Sequence, residues 1–150
     1  MPQSLASVLV HLIFSTNHRI PYIRAEVEPD LHPYLAGICR NLGSPSLDIG
    51  GAEDHVHILF SLSRTITISK FVEEVKTGSS VWIKTKGDEF REFAWQGGYG
   101  AFSIGQSGVT DLKRYLASQK EHHRTFSFQD EFRLFLRKYN TEYDERYVWD

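Results

Sequence analysis

The chain has 150 residues and a mass of 17.3 kDa, enough for one domain with its own core and no need of disulfide staples. Hydrophobic residues at 41% and charged residues at 24% exclude a largely disordered chain, and a single cysteine, Cys39, excludes an intramolecular disulfide and a multi-cysteine zinc site. The formal net charge is −2 and the isoelectric point about 6.4, with the acid excess in residues 125–150, so charge neither announces nor excludes a nucleic-acid partner.

No apolar run approaches the roughly 20 residues that span a bilayer, and the first residues lack a basic-then-apolar signal pattern. The expectation is a cytoplasmic protein with no membrane partner, built as a single domain over residues 1–150.

The elements follow in chain order. Ala6 to Phe14 is β-branched and apolar and predicts a buried strand. Asn17 to Ile23 reads as a loop. Asp30 is placed to cap a helix whose apolar positions are Leu31, Tyr34, Leu35, Ile38 and Leu42, with Pro33 tolerated in its first turn. Gly43-Ser44-Pro45 ends it. Ser46–Ile49 and His55–Leu62 read as two strands joined by a GGAED hairpin loop.

A second helix is predicted from about Thr67 to Lys84, where Gly78 costs about 1 kcal/mol relative to Ala and signals close packing or a contact. Phe93 to Ile104 reads as an aromatic strand interrupted by glycines, and residues 105–108 as a flexible joint. A helix over Asp111–Glu121 and a last one opened by Ser127 complete the pattern, before an acidic tail at 140–150. The order β-α-β-β-α-β-α-α predicts an α+β fold, an antiparallel sheet of four to five strands flanked by helices.

The sharpest chemical feature is His55-Val56-His57. Alternate strand residues share a face, so both imidazoles project together, able to share one divalent metal, with Asp54 beside them as an orienting partner. Two ligands do not make a site. Tyr115 and Gln119, four apart on one helix, can offer a phenol and an amide oxygen to one point: a nucleophile toward phosphorus and a hard-metal ligand. Tyr99, embedded in glycines, is the rival tyrosine. His11 reads as a core histidine and His122 and His123 as helix-end residues, while Arg19, Lys76, Lys113, Arg114 and Arg124 are candidates for phosphate contacts.

These residues carry a resemblance. Besides EDHVHILF, the chain contains VHLIFSTNHRIP, VEEVKTGSS, FAWQGGYGAFSI, LKRYLASQKEHH and SFQDEF in order. Together they resemble the single-tyrosine HUH transposases, insertion sequence 200-like and including the REP-associated tyrosine transposases. The resemblance implies a ferredoxin-like fold and a homodimer acting on single-stranded DNA, with hairpin ends of a mobile element or repeat as its target.

It further implies that His55, His57 and Gln119 hold magnesium or manganese, and that Tyr115 attacks the scissile phosphate to leave a 5′-phosphotyrosine and a free 3′-hydroxyl. No nucleotide cofactor is then needed, since the phosphotyrosine keeps the phosphodiester energy. Tyr99 becomes a structural or DNA-facing aromatic. In several relatives the tyrosine helix completes the site of the other subunit. The competing reading is a non-catalytic or domesticated single-stranded nucleic-acid-binding protein of the same fold, which has no need for His55, His57 and Gln119 to converge.

Overall fold

Along the first strand Val10, Leu12 and Phe14 alternate with His11 and Ile13, and all are buried, so both faces of that strand must be covered. A computed structural model, which describes residues 2–150, shows how. The strands are β1 (Leu9–Ser15), β2 (Ser46–Ala52), β3 (His55–Ser61) and β4 (Gly100–Ile104), and the helices α1 (Glu28–Asn41), α2 (Ile68–Ile83), α3 (Val109–Ala117), α4 (Gln119–His122) and α5 (Phe128–Lys138). The sheet order is β2-β3-β1-β4 with every pairing antiparallel, the β-α-β-β-α-β ferredoxin-like arrangement. Among the described residues no helix is long and apolar enough to cross a membrane.

One face of the sheet, bearing Val10, Leu12, Phe14, Val56, Ile58 and Phe60, packs on α1 and α2 in one apolar cluster that includes Leu31, Leu35, Phe71 and Val75. Phe60 stacks on Phe71 at 3.9 Å between ring centroids. Gly78 of α2 is a close-packing glycine, since a Cβ there would lie 3.0 Å from Ile38 of α1. The other face carries Leu9, His11, Ile13, His55, His57 and Leu59, and is covered by α3 and α5 in two smaller apolar clusters with a polar group between them.

Several boundaries differ from the sequence reading, each for a physical reason. Gly50, Gly51 and Ala52 belong to β2 rather than to a loop, so the hairpin turns on Glu53 and Asp54 alone. Gly51 has φ +149°, and a Cβ there would meet the His55 carbonyl oxygen at 2.3 Å, so only glycine fits. Helix α1 begins at Glu28 with Pro29 in its first turn, which leaves Pro33 inside the helix rather than at its start.

The expected strand over 93–104 is a continuous strand only at Gly100–Ile104, with a single antiparallel bridge from Trp95 to Thr16 before it. Upstream, Lys76 Nζ donates to the carbonyls of Gln96 (2.7 Å) and Gly98 (2.6 Å), and the Gly98 N–H donates to the Asp150 carbonyl (3.0 Å). Backbone groups satisfied in this way have no use for a ladder. Finally, the helix expected over 111–121 breaks at Ser118 into α3 and α4.

Candidate metal and tyrosine site

His55 and His57 lie on β3, fully buried, on the face covered by α3 and α5. Their partners come from four other parts of the chain. Asp54 Oδ1 lies 2.7 Å from His55 Nδ1 and fixes that ring from the hairpin turn. His11 on β1, directly beside β3, places Nε2 2.8 Å from His57 Nδ1. Gln119 at the start of α4 accepts from His55 Nε2 at 3.0 Å. Glu131 on α5 completes the group: its Oε1 lies 3.0 Å from His57 Nε2, 3.2 Å from His123 Nε2 and 3.4 Å from His55 Nε2. The His123 approach is close without hydrogen-bonding geometry, so its Nε2 is left unpartnered.

The second oxygen of Glu131 faces the tyrosine. Tyr115 donates its hydroxyl proton to Oε2 in a short hydrogen bond, and Gln119 Nε2 donates to the same oxygen at 2.9 Å. One carboxylate therefore joins the histidine pair to the tyrosine within a single chain. Close packing makes this reach possible: a Cβ on Gly50 would lie 3.0 Å from both Cβ and the carbonyl oxygen of Leu116, so α3 sits almost on the backbone of β2. The break at Ser118 does not separate Tyr115 from Gln119, since both meet Glu131.

The charges follow from the contacts. Burial pulls the His55 pKa down, yet Asp54 and Glu131 outweigh it and raise the value to about 9, so both ring nitrogens carry protons toward acceptors. His57 and His11 are lowered, chiefly by burial; neutral His57 spends its Nε2–H on the Glu131 carboxylate, so its Nδ1 accepts from His11 Nε2–H. Burial works to raise Glu131, but the imidazoles of His123, His55 and His57 hold it far below the usual carboxylate range. Tyr115 is pushed well up, first by burial and then by the Glu131 charge.

The donor set fits a divalent ion. Ligand atoms of His55, His57 and Glu131 all lie within 4.8 Å of one another, and the Gln119 amide oxygen adjoins them. Two imidazoles with carboxylate and amide oxygens form a mixed set of the kind manganese accepts.

Of the expected phosphate contacts, Arg19 donates to the Trp149 carbonyl at 3.0 Å, and Lys76 is spent on the 96–98 backbone with its pKa lowered to about 8 by burial. Lys76 also lies 5.8 Å from the centre of the Tyr99 ring. Lys113 and Arg114 are on the exposed side of α3, with Arg114 paired to Asp111 at 3.2 Å.

Glu131 and the role of His11 were not foreseen, and His123, read as a helix-end residue, instead reaches Glu131. The sequence did hold a signal for Glu131: it sits on the same helical stripe as Phe128, Phe132 and Phe135, and a carboxylate on a buried stripe calls for partners.

The pairing of this geometry with known proteins is consistent along the chain. The profile of the family described as "Transposase IS200 like" matches residues 4–119. The chain belongs to that family. It is 24% identical over 116 residues to the ISDra2 transposase TnpA of Deinococcus radiodurans, an overlap of 74% of this chain and 83% of that one.

Two solved structures share the fold of this IS200-like transposase. A candidate transposase of Deinococcus radiodurans R1 has a TM-score of 0.61 at 20% identity, covering 80% of this chain and 96% of that one. A REP-associated tyrosine transposase bound to a REP hairpin has a TM-score of 0.61 at 12% identity, covering 82% and 72%. The family match ends at Gln119, so α5 and Glu131 lie beyond it.

Proposed function

We propose that this IS200-like transposase is a divalent-metal-dependent nuclease and strand transferase for single-stranded DNA, acting through Tyr115. The observation that carries the reading is the shared carboxylate: Tyr115, Gln119 and both HUH histidines meet on Glu131. A pure binding module has no need to bury a phenol, two imidazoles and a carboxylate together, because buried ionisable groups are costly unless they act.

His55, His57 and Gln119 would hold the ion, with Glu131 as an added oxygen donor. Magnesium or manganese supplies charge neutralisation at the scissile phosphate when bound. The Tyr115 oxygen attacks phosphorus, the bond to the 3′-oxygen breaks, and the products are a 5′-phosphotyrosine and a 3′-hydroxyl that takes its proton from water. Glu131, already accepting the Tyr115 hydroxyl hydrogen, leads the phenol proton away. Asp54 and His11 hold the imidazoles in register.

Reversal at a new junction rejoins strands without a nucleotide cofactor. A hairpin end of a mobile element or repeat is the proposed substrate, in keeping with the structural neighbour bound to a REP hairpin, and a homodimer is the proposed working assembly. The dimer would gather Lys113 and Arg114, with Arg19 and Tyr99 as further DNA contacts, while Lys76, expected as another, is held by the 96–98 backbone.

The test is covalent trapping. Single-stranded oligonucleotides copied from DNA flanking the gene are incubated with manganese or EDTA and run on a denaturing gel. A slower, manganese-dependent band with wild type and none with Tyr115→Phe is the expected result. Binding without any band would favour the non-catalytic or domesticated reading.

A further inference from the structure

Beside the reaction centre lies a cavity of about 630 Å³ between β4, α3 and α5, within the range of ligand pockets. Tyr115 and Glu131 line it, so it opens onto the atoms that would meet the scissile phosphate. Its aromatic wall comes from α5. Phe135 and Tyr139 are only partly covered, and each lies nearly parallel to Phe102, at interplanar angles of 21° and 16°. These flat, near-parallel rings of Phe135 and Tyr139 border the cavity.

His122 also lines the cavity, its ring 5.5 Å from that of Tyr115. The His122 Nε2 atom is buried and has no hydrogen-bond partner among the described residues, so it stands behind the lining. The hydroxyls that border the cavity belong to the exposed Ser103 and Ser107.

We infer that this cavity is a nucleobase pocket, receiving the unstacked base of one nucleotide flanking the scissile phosphate. The inference rests on the proposed action on single-stranded DNA and adds a point of specificity to it. Three features of the cavity match one ligand class. A base offers a flat face to the Phe135 and Tyr139 rings and an edge of hydrogen-bonding groups to the hydroxyls of Ser103 and Ser107. Its attachment to the strand explains why the cavity is continuous with Tyr115. The walls contributed by α5 lie outside the residues matched by the family profile, so the pocket provides this chain with its own base preference next to a shared reaction centre.

The experiment uses the full chain, a single-stranded oligonucleotide cut in the trapping assay, and copies with one abasic site at each nucleotide flanking the mapped cut. Leu134 lines the cavity and is 47% exposed, so Leu134→Trp fills the space without disturbing the core. Dissociation constants are read by fluorescence anisotropy with manganese present. The abasic copy at one flanking position should bind wild type about tenfold more weakly, the scale of one lost stack. Leu134→Trp should bind the intact strand with a similar loss and should not distinguish the abasic copy from it.

Equal affinity of wild type for every abasic copy, or full affinity of Leu134→Trp for the intact strand, would overturn the pocket. A change in the sedimentation mass of the DNA-free protein on Leu134→Trp would overturn it too, assigning the cavity to a second copy of the chain. Adduct formation on the intact strand is scored separately. Its presence with indifferent abasic copies removes the pocket alone, and its absence removes the parent reading and the pocket together.

Discussion

The two faces of the sheet are built on opposite terms. Under α1 and α2 the strands bury Leu12, Phe14, Ile58 and Phe60 against Phe71 and Leu35, with apolar packing supplying the free energy. Under α3 and α5 the same strands bury His11, His55 and His57 against Gln119 and Glu131. Polar groups in such a place weaken the core unless each is partnered, and here they are partnered chiefly with one another. One face holds the fold, and the other gathers, at some cost in stability, the polar groups that the proposed reaction would use.

That division can be broken most severely at the reactive face. If one chain assembles a whole site, an equimolar mixture of Tyr115→Phe and His57→Ala should give no covalent adduct. Adduct recovery on mixing, read on a denaturing gel, would mean that subunits exchange the tyrosine helix.

Glu131→Ala comes next. It leaves the buried His55 cation with Asp54 alone and takes the acceptor from His57 and Tyr115, so the metal-free protein should lose about 3–5 kcal/mol of stability in urea unfolding. Its manganese-induced rise in melting temperature should shrink as well. On the opposite face Phe71→Ala should cost a comparable ~3–5 kcal/mol, while the folded fraction keeps wild-type adduct yield at low temperature. Loss of adduct yield per folded molecule there would erase the distinction between the faces.

A smaller effect is set by pH. His55 has its pKa raised from 6.5 to about 9 in the fold, after burial's downward pull is outweighed by Asp54 and Glu131. Its contribution is complete below about 6.5 and is lost as pH rises through about 9. The melting temperature of the EDTA-treated protein should therefore fall between pH 7 and pH 9, and His55→Gln should flatten that fall. The smallest expected change is Thr67→Ala, which removes the N-cap bond to the Lys70 N–H of α2 and should cost about 1 kcal/mol with no effect on the adduct.

How much was legible in the sequence differs between the same two faces. Alternation along 55–60 placed His55 and His57 on one side and Val56, Ile58 and Phe60 on the other, because the strand period is fixed by the backbone. Helical spacing foretold the apolar faces of α1 and α2. Long-range partners were harder to see. Glu131 comes within reach of His57 only because α5 lies across the sheet, and His11 only because β1 pairs with β3. The stretch 93–99 was read as continuous strand, but beyond the Trp95 bridge to Thr16 the hydrogen bonds of 96–98 go to Lys76 and the Asp150 main-chain oxygen, distant in sequence. Local spacing only allowed Tyr115 and Gln119 to act together, and the family resemblance preferred them over Tyr99; what lets their helix come so near the sheet is the bare backbone at Gly50.

The most direct test of the central claim is to locate the covalent bond. Wild-type protein is reacted with single-stranded DNA and manganese, digested with protease and nuclease, and its peptides are read by mass spectrometry. The account predicts a 5′-phosphonucleotide on the peptide containing Tyr115 and on no other. The same adduct on Tyr99, or a cleaved strand with no tyrosine modified, would contradict it.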